Sequence, residues 1–370
     1  MKHFVYGMDI SSLPRLEEAG LQAFKQEDLL RTLVQHGVNC IRLRLWLDPY
    51  DESGHPYGGG TNDLKTTLAF AKRIQEAGFD ILLDFHYSDF WADPGKQIMP
   101  KAWVGLSHKQ LVDVVERYTK ETLMVFKNKG IEIKYIQTGN EITNGMLWPD
   151  AKLYENDVAI AGGFMRLSDL LIAANKACRA IYPHAEIIIH LDRGGDKQLY
   201  ENWFKQISDQ LNYDVIGLSY YPYWHGSLAS LEANILTIKR LFAKKVMVME
   251  TAYAYRNELE GVPLVMTESR LEKKNDWPPY PFTKEGQAAF MADLLNCLIT
   301  LSVDGLFYWE PAWLLASGDT WATEAGRRYI NETHKKDGNE WVNQALFDLE
   351  GKANPALDVF KKLKGEHDEK

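Results

Sequence analysis

A chain of 370 residues, 45% hydrophobic and 25% charged, has the balance of a globular protein with a sizeable core. Its formal net charge is −9, with Lys and Arg scattered rather than blocked. That pattern carries no electrostatic footprint for nucleic acid or an anionic membrane, so neutral substrates fit best. No apolar run approaches the roughly 18 residues that span a bilayer. The opening MKHFVYGMDI goes directly into a strand-like pattern and reads without a signal peptide. The cysteines, Cys40, Cys178 and Cys297, lie far apart in apolar segments and read as buried free thiols rather than as a disulfide framework or zinc cluster. A cytoplasmic monomer is therefore expected.

Short β-rich runs alternate with amphipathic helical stretches along the chain, the signature of a parallel sheet with helical crossovers. In order they are Phe4–Met8, Cys40–Leu45, Asp80–Phe85, Lys134–Thr138, Glu186–His190, Val215–Ser219, Val246–Met249 and Gly305–Trp309. The stretch after the second, LKTTLAFAKRIQEAG, places Leu64, Leu68, Ala71 and Ile74 on one helical face before Gly78 ends it. Eight strand–helix units with no repeat or linker predict one α/β domain over 1–370, a single (β/α)8 barrel with long loops on the C-terminal rim. An open doubly wound sheet is the weaker alternative. The last residues, about 365–370, read as a disordered tail.

Polar and aromatic residues follow the apolar part of most strands, as in RLRLW, DFHYSD, TGNE, IHLD, SYYPYW, METAY and FYWEP. In a barrel those positions share the C-terminal rim, where active sites of this fold are assembled. Aromatic residues make up 12% of the chain, and flat rings beside hydrogen-bonding groups suit sugars, whose apolar C–H faces are edged by hydroxyls. Glycoside hydrolysis needs two carboxyl groups flanking the scissile bond. Glu141 ends the fourth strand in YIQTGNE and Glu250 ends the seventh in VMVMETAY. A carboxyl directly after an apolar run is costly to desolvate without partners, which favours a catalytic pair. Arg42 and Arg44 on the second strand point the same way as Trp46, and one of them is expected to supply the positive partner of a carboxylate.

The segments GMDISSL, IRLRLWLDPYD, LLDFHYSDFWADPGKQIMPKAW, IQTGNEITNGMLWP, IIIHLD, DVIGLSYYPYWHG, METAYAY and WVNQALFDLEG span nearly the whole chain. Together they resemble glycoside hydrolase family 53, the endo-β-1,4-galactanases. HYSDFWADPGKQ is long and specific, whereas a lone NE is a weak motif. The resemblance implies a retaining double displacement on β-1,4-galactan or galacto-oligosaccharides, with Glu250 as nucleophile, Glu141 as general acid/base, and carboxyl groups about 5–5.5 Å apart. It also implies that Asn140 holds the 2-hydroxyl of the reacting sugar, that Tyr220 donates to Glu250, and that Trp309 lies under the sugar at the cleavage subsite.

His86, Asp89 and Trp91 are expected in the cleft, with Asp48, Asp192 and Trp224 at neighbouring subsites. One His and one Asp make no metal set, and no cofactor is expected. Many bacterial relatives carry a calcium-binding cluster after the seventh strand. This chain instead has RNELEGVPLVMTESRLEKKNDWPPYPF there, with its acids dispersed. Three rivals stand beside this reading. A same-clan mannanase or β-galactosidase would differ in its cleft loops, a non-catalytic carbohydrate-binding barrel could lose either Glu, and a metal-dependent isomerase would need a denser rim of carboxylates and histidines.

Overall fold

Eight parallel strands close into a barrel: β1 (Val5–Asp9), β2 (Cys40–Leu45), β3 (Asp80–Phe85), β4 (Tyr135–Thr138), β5 (Glu186–Leu191), β6 (Val215–Ser219), β7 (Lys245–Thr251) and β8 (Gly305–Trp309). Each pairs with its neighbours in chain order, and β8 returns to β1 with Val5 opposite Gly305 and Asp9 opposite Trp309. The open-sheet alternative is thereby excluded. The computed structural model describes residues 4–21, 28–271, 279–333 and 338–368.

The helical ring follows from the amphipathic stretches. Leu64–Glu76 begins where the Asp63 side chain accepts the Thr66 N–H at 2.7 Å, a cap for an otherwise orphan donor. It buries Thr67, Phe70, Ala71 and Ile74, with Leu64 and Leu68 half-buried at the edge of that face. Gly78, at φ +90°, then turns the chain into β3. The last helix, Pro355–Asp368, runs through most of the stretch expected to be a loose tail, and 369–370 lie outside the described residues.

Inside the barrel, alternation carries each strand from apolar to polar. Val5, Cys40, Leu82, Tyr135, Ile188, Val215, Met247, Met249 and Phe307 form the lower interior. Two residues further along β2, β3, β4 and β5 the same face presents Arg42, Asp84, Gln137 and His190, all buried. Space below is tight. A Cβ at Gly7 would lie 2.3 Å from the Phe307 ring and one at Gly217 2.6 Å from Met249, an overlap costing about 1–3 kcal/mol.

The ladders around β7 contain one irregularity. Val248 pairs with Leu218, but Glu250 pairs with the next residue, Ser219; on the other side Val248 and Thr251 pair with Leu306 and Tyr308. One extra residue on β7 forms a bulge, so Met249 and Glu250, although consecutive, both face the barrel axis.

Candidate active site

The bulge delivers Glu250 to a guanidinium at the centre of the rim. Arg42 sits two residues above Cys40 on the inner face of β2 and spends its donors on five partners. Nη1 binds Asp9 Oδ2 at 3.0 Å and Glu250 Oε1 at 2.9 Å. Nη2 binds Asp84 Oδ2 at 2.8 Å and Asn140 Oδ1 at 2.7 Å, and Nε reaches Gln137 Oε1 at 3.3 Å. Burial alone would discharge the group, but Asp84, Glu250 and Asp9 outweigh it and raise its pKa. An arginine is required there, because a compact ammonium cannot hold so many planar partners at once.

Tyr221 supplies the second donor to Glu250, its hydroxyl lying 3.0 Å from Oε2. The neighbouring Tyr220, expected to play that part, instead donates to the Gly226 carbonyl at 3.0 Å and belongs to the core between barrel and helices. Strand parity explains the difference. Val215 and Ser219 face inward, so the inward tyrosine is the odd-numbered one.

Glu141 follows Gly139 and Asn140 on a left-handed turn at the end of β4, with φ 47° and ψ 50°. A non-glycine residue there stores about 1–3 kcal/mol of strain, and such positions cluster at functional sites. Its carboxyl Oε1 accepts the Ser219 hydroxyl at 2.6 Å. Burial first, then the charges of Glu250 and Asp192, lift its pKa well above the usual carboxylate range. Burial raises Glu250 as well, but Arg42 and the Tyr221 hydroxyl oppose the rise. Both carboxyls are raised, but Glu141 further, so it is the readier of the two to keep a proton, while Arg42 and Tyr221 make Glu250 the readier to ionise.

Both open into one cavity of about 350 Å³. Arg42, Arg44, His86, Trp91, Asn140, Trp224 and Trp309 line it, as the sequence leads one to expect. Five other expected residues do not. Trp46 is fully buried behind the wall, its indole N–H donating to His86 Nδ1 at 3.1 Å. Asp89 braces two loops, accepting the backbone N–H groups of Asp48 and Lys101 at 3.1 and 2.7 Å. The Asp48 side chain is 62% exposed beside Lys101. Asp192 is buried and acts on Glu141 through charge, and Tyr220 lies outside the barrel. Polar residues at loop starts often satisfy the loop's own backbone, which misplaced Asp48 and Asp89.

The sequence reading missed the support layer and part of the wall. Asp84 fixes His86, whose Nε2 lies 3.1 Å away. Arg44, stacked over Trp91 at 4.6 Å, binds Glu310 at 2.5 Å, and Ser12 Oγ donates to that same carboxyl at 2.5 Å. Glu310 is thereby anchored directly after Trp309. Burial pushes its pKa up to about 7 although Arg44 opposes the rise. Period-two alternation from Val5 and Leu82 would have found Asp9 and Asp84. Trp321 and Trp341, from the long segment after β8, complete the aromatic wall, with Trp321 stacked on Trp91 at 5.7 Å and 8° and Trp341 edge-on to Trp309 at 5.0 Å. No short-range pattern marks them.

Among the described residues no three His, Cys, Asp or Glu side chains converge to hold a metal, and no helix is long and apolar enough to cross a membrane. Residues 272–278, within the loop whose dispersed acids argued against a calcium cluster, lie outside the described residues.

Comparison with known proteins agrees with this geometry. The chain is 34% identical to the endo-β-1,4-galactanase of Bacillus subtilis strain 168, across 99% of this chain and 87% of that protein. Among solved structures it resembles the GH53 catalytic domain of Ignisphaera aggregans, with TM-score 0.86 and 38% identity over 97% of this chain and 95% of that one. It also resembles a fungal β-1,4-galactanase, with TM-score 0.75 and 28% identity over 97% and 99% of the two chains. The family model of glycosyl hydrolase family 53 matches residues 5–360, and the chain belongs to that family.

Proposed function

We propose that this protein is an endo-β-1,4-galactanase that works by retaining double displacement. The observation carrying the mechanism is the unequal treatment of two carboxyls that share one cavity. Glu250 accepts from a guanidinium and a phenol, whereas Glu141 receives one hydroxyl and is buried near two other acids. The first arrangement suits a nucleophile and the second a proton donor.

In the first step the galactosyl ring lies against Trp309, and Glu250 attacks the anomeric carbon while Glu141 gives its proton to the departing oxygen. The Glu250–carbon bond forms as the glycosidic bond breaks. Glu141, now ionised, takes a proton from the incoming water, whose oxygen displaces Glu250 and restores both carboxyls. Asn140, held by Arg42, Gln137 and the Ala92 carbonyl, is positioned to engage the 2-hydroxyl as charge develops on the ring. The aromatic walls suit a neutral glycan, and the names of the relatives support galactan. Incubation with linear galactan, mannan and xylan in parallel tests the substrate. NMR of the first-formed product tests the mechanism, β-anomer being expected. Preference for mannan or xylan would overturn the substrate, and α-anomer would overturn the double displacement.

A further inference from the structure

We propose that Ser219 and His190 form a positioning relay that places the catalytic proton of Glu141 on its second oxygen. This rests on the reading of Glu141 as general acid.

The relay is directional because its far end is a backbone group. His190 Nδ1 faces Asn140 Oδ1 at 3.1 Å and the Glu141 N–H at 3.3 Å; the oxygen already accepts from Arg42 Nη2 at 2.7 Å, whereas the backbone N–H can only donate, so Nδ1 accepts. The Gln137 side-chain amide nitrogen, 3.1 Å from the same nitrogen, has only hydrogens to offer it. The ring hydrogen therefore belongs on Nε2, which faces Ser219 Oγ at 2.9 Å. With that lone pair engaged, the serine hydroxyl turns its hydrogen to Glu141 Oε1 at 2.6 Å. An oxygen already accepting this hydrogen bond is a poor place for the acid's own proton, which is left to Oε2. Both relay residues are fully buried, so water does not compete for these groups. Burial, with Arg42, also holds the His190 pKa well below its ordinary value, so the imidazole stays neutral and the direction persists across the working pH range.

Several charges act on Glu141: Glu250 from β7, Asp192 beyond β5 and Asp93 from the loop after β3, all raising its pKa. The Ser219 hydroxyl opposes them. Removing it should have two separable effects. The carboxyl loses its fixed proton address and orientation, which lowers the rate of steps needing an acid. Its pKa also rises, moving the alkaline limb of kcat/KM to higher pH.

The test compares wild type, Ser219→Ala, Ser219→Thr and Glu141→Ala on linear galactan and on 2,4-dinitrophenyl β-1,4-galactobioside, whose leaving group needs little protonation. For Ser219→Ala we expect kcat/KM on galactan to fall about tenfold or more, a share of the roughly 10²–10⁴ that general acid catalysis contributes. On the activated substrate it should stay within about twofold, a result that also shows the cavity still folded. Ser219→Thr, which keeps the hydroxyl, should recover most of the loss. Equal losses on both substrates, an unmoved alkaline limb, or a threonine variant no better than alanine would overturn the relay. If Glu141→Ala itself fails to spare the activated substrate, the general-acid reading falls and the relay with it. If only Ser219→Ala fails to discriminate, the relay alone falls.

Discussion

Tyr221 lies two residues beyond the end of β6 and Glu250 on the neighbouring β7, and the phenol meets the carboxylate at 3.0 Å because the bulge that pairs Glu250 with Ser219 turns it inward. The contact stabilises the ionised form of Glu250. Tyr221→Phe should therefore raise the Glu250 pKa and move the acid limb of the kcat/KM profile to higher pH. A rate loss of roughly 10- to 100-fold is expected, from a hydrogen bond to charge of about 1.5–3 kcal/mol. Tyr220→Phe should cost about 1 kcal/mol of stability and leave the profile in place. A Tyr220 variant with the shifted acid limb would reverse the assignment.

The two catalytic carboxyls should fail differently. Glu250→Ala is expected to lose roughly 10⁴-fold or more on every substrate, whereas Glu141→Ala keeps kcat/KM on activated aryl glycosides. Azide should rescue Glu141→Ala to a β-glycosyl azide and Glu250→Ala to the α-anomer. Product anomers resolved by NMR decide the matter, and the opposite pairing would exchange the two roles.

Glu310 makes a prediction about stability rather than rate. Its folded pKa, about 7, lies above its unfolded value, so the folded state holds the proton more tightly. Stability from this group is fully present below the unfolded pKa of about 4.3 and is lost as pH rises through about 7. The melting temperature of Glu310→Gln, measured against wild type across pH 4–8, should decline less over that window. Parallel curves would show that Glu310 stays ionised throughout.

At the mouth of the cleft Trp224 is 42% exposed and packs tilted on Tyr221 at 5.6 Å. It can cover a sugar without touching the reacting centre. Trp224→Ala should raise KM on galactan about 2- to 10-fold with kcat little changed, because the contact is equally present in ground and transition states. A fall in kcat at constant KM would mean that this ring supports Tyr221 instead.

All eight strands were legible in the sequence, since apolar runs followed by polar residues mark strand ends in a barrel. Glu141, Glu250 and Arg42 were legible for the same reason. Tyr221 was within reach, because counting by twos from Val215 selects it over Tyr220. The same count applied to β7 selects Met249 and then Thr251, and so passes over Glu250; only the backbone reveals the slip. Trp321 and Trp341 were out of reach, because rings brought in by a long return segment carry no local periodicity. Asp48 and Asp89 misled because a carboxylate caring for loop backbone and one facing substrate read alike in a linear string.

The slip in β7 also sets how this enzyme can be re-engineered. Activity depends on residue count as much as on residue identity, so removing one residue before position 250 would rotate the glutamate out of the chamber while leaving its letter in the sequence. A barrel repaired in that way would be more regular, and the aromatic walls could still receive a sugar, but the blade would face outward. Transplanting this chemistry onto an idealised barrel therefore requires copying a defect in the hydrogen-bond ladder along with the side chains.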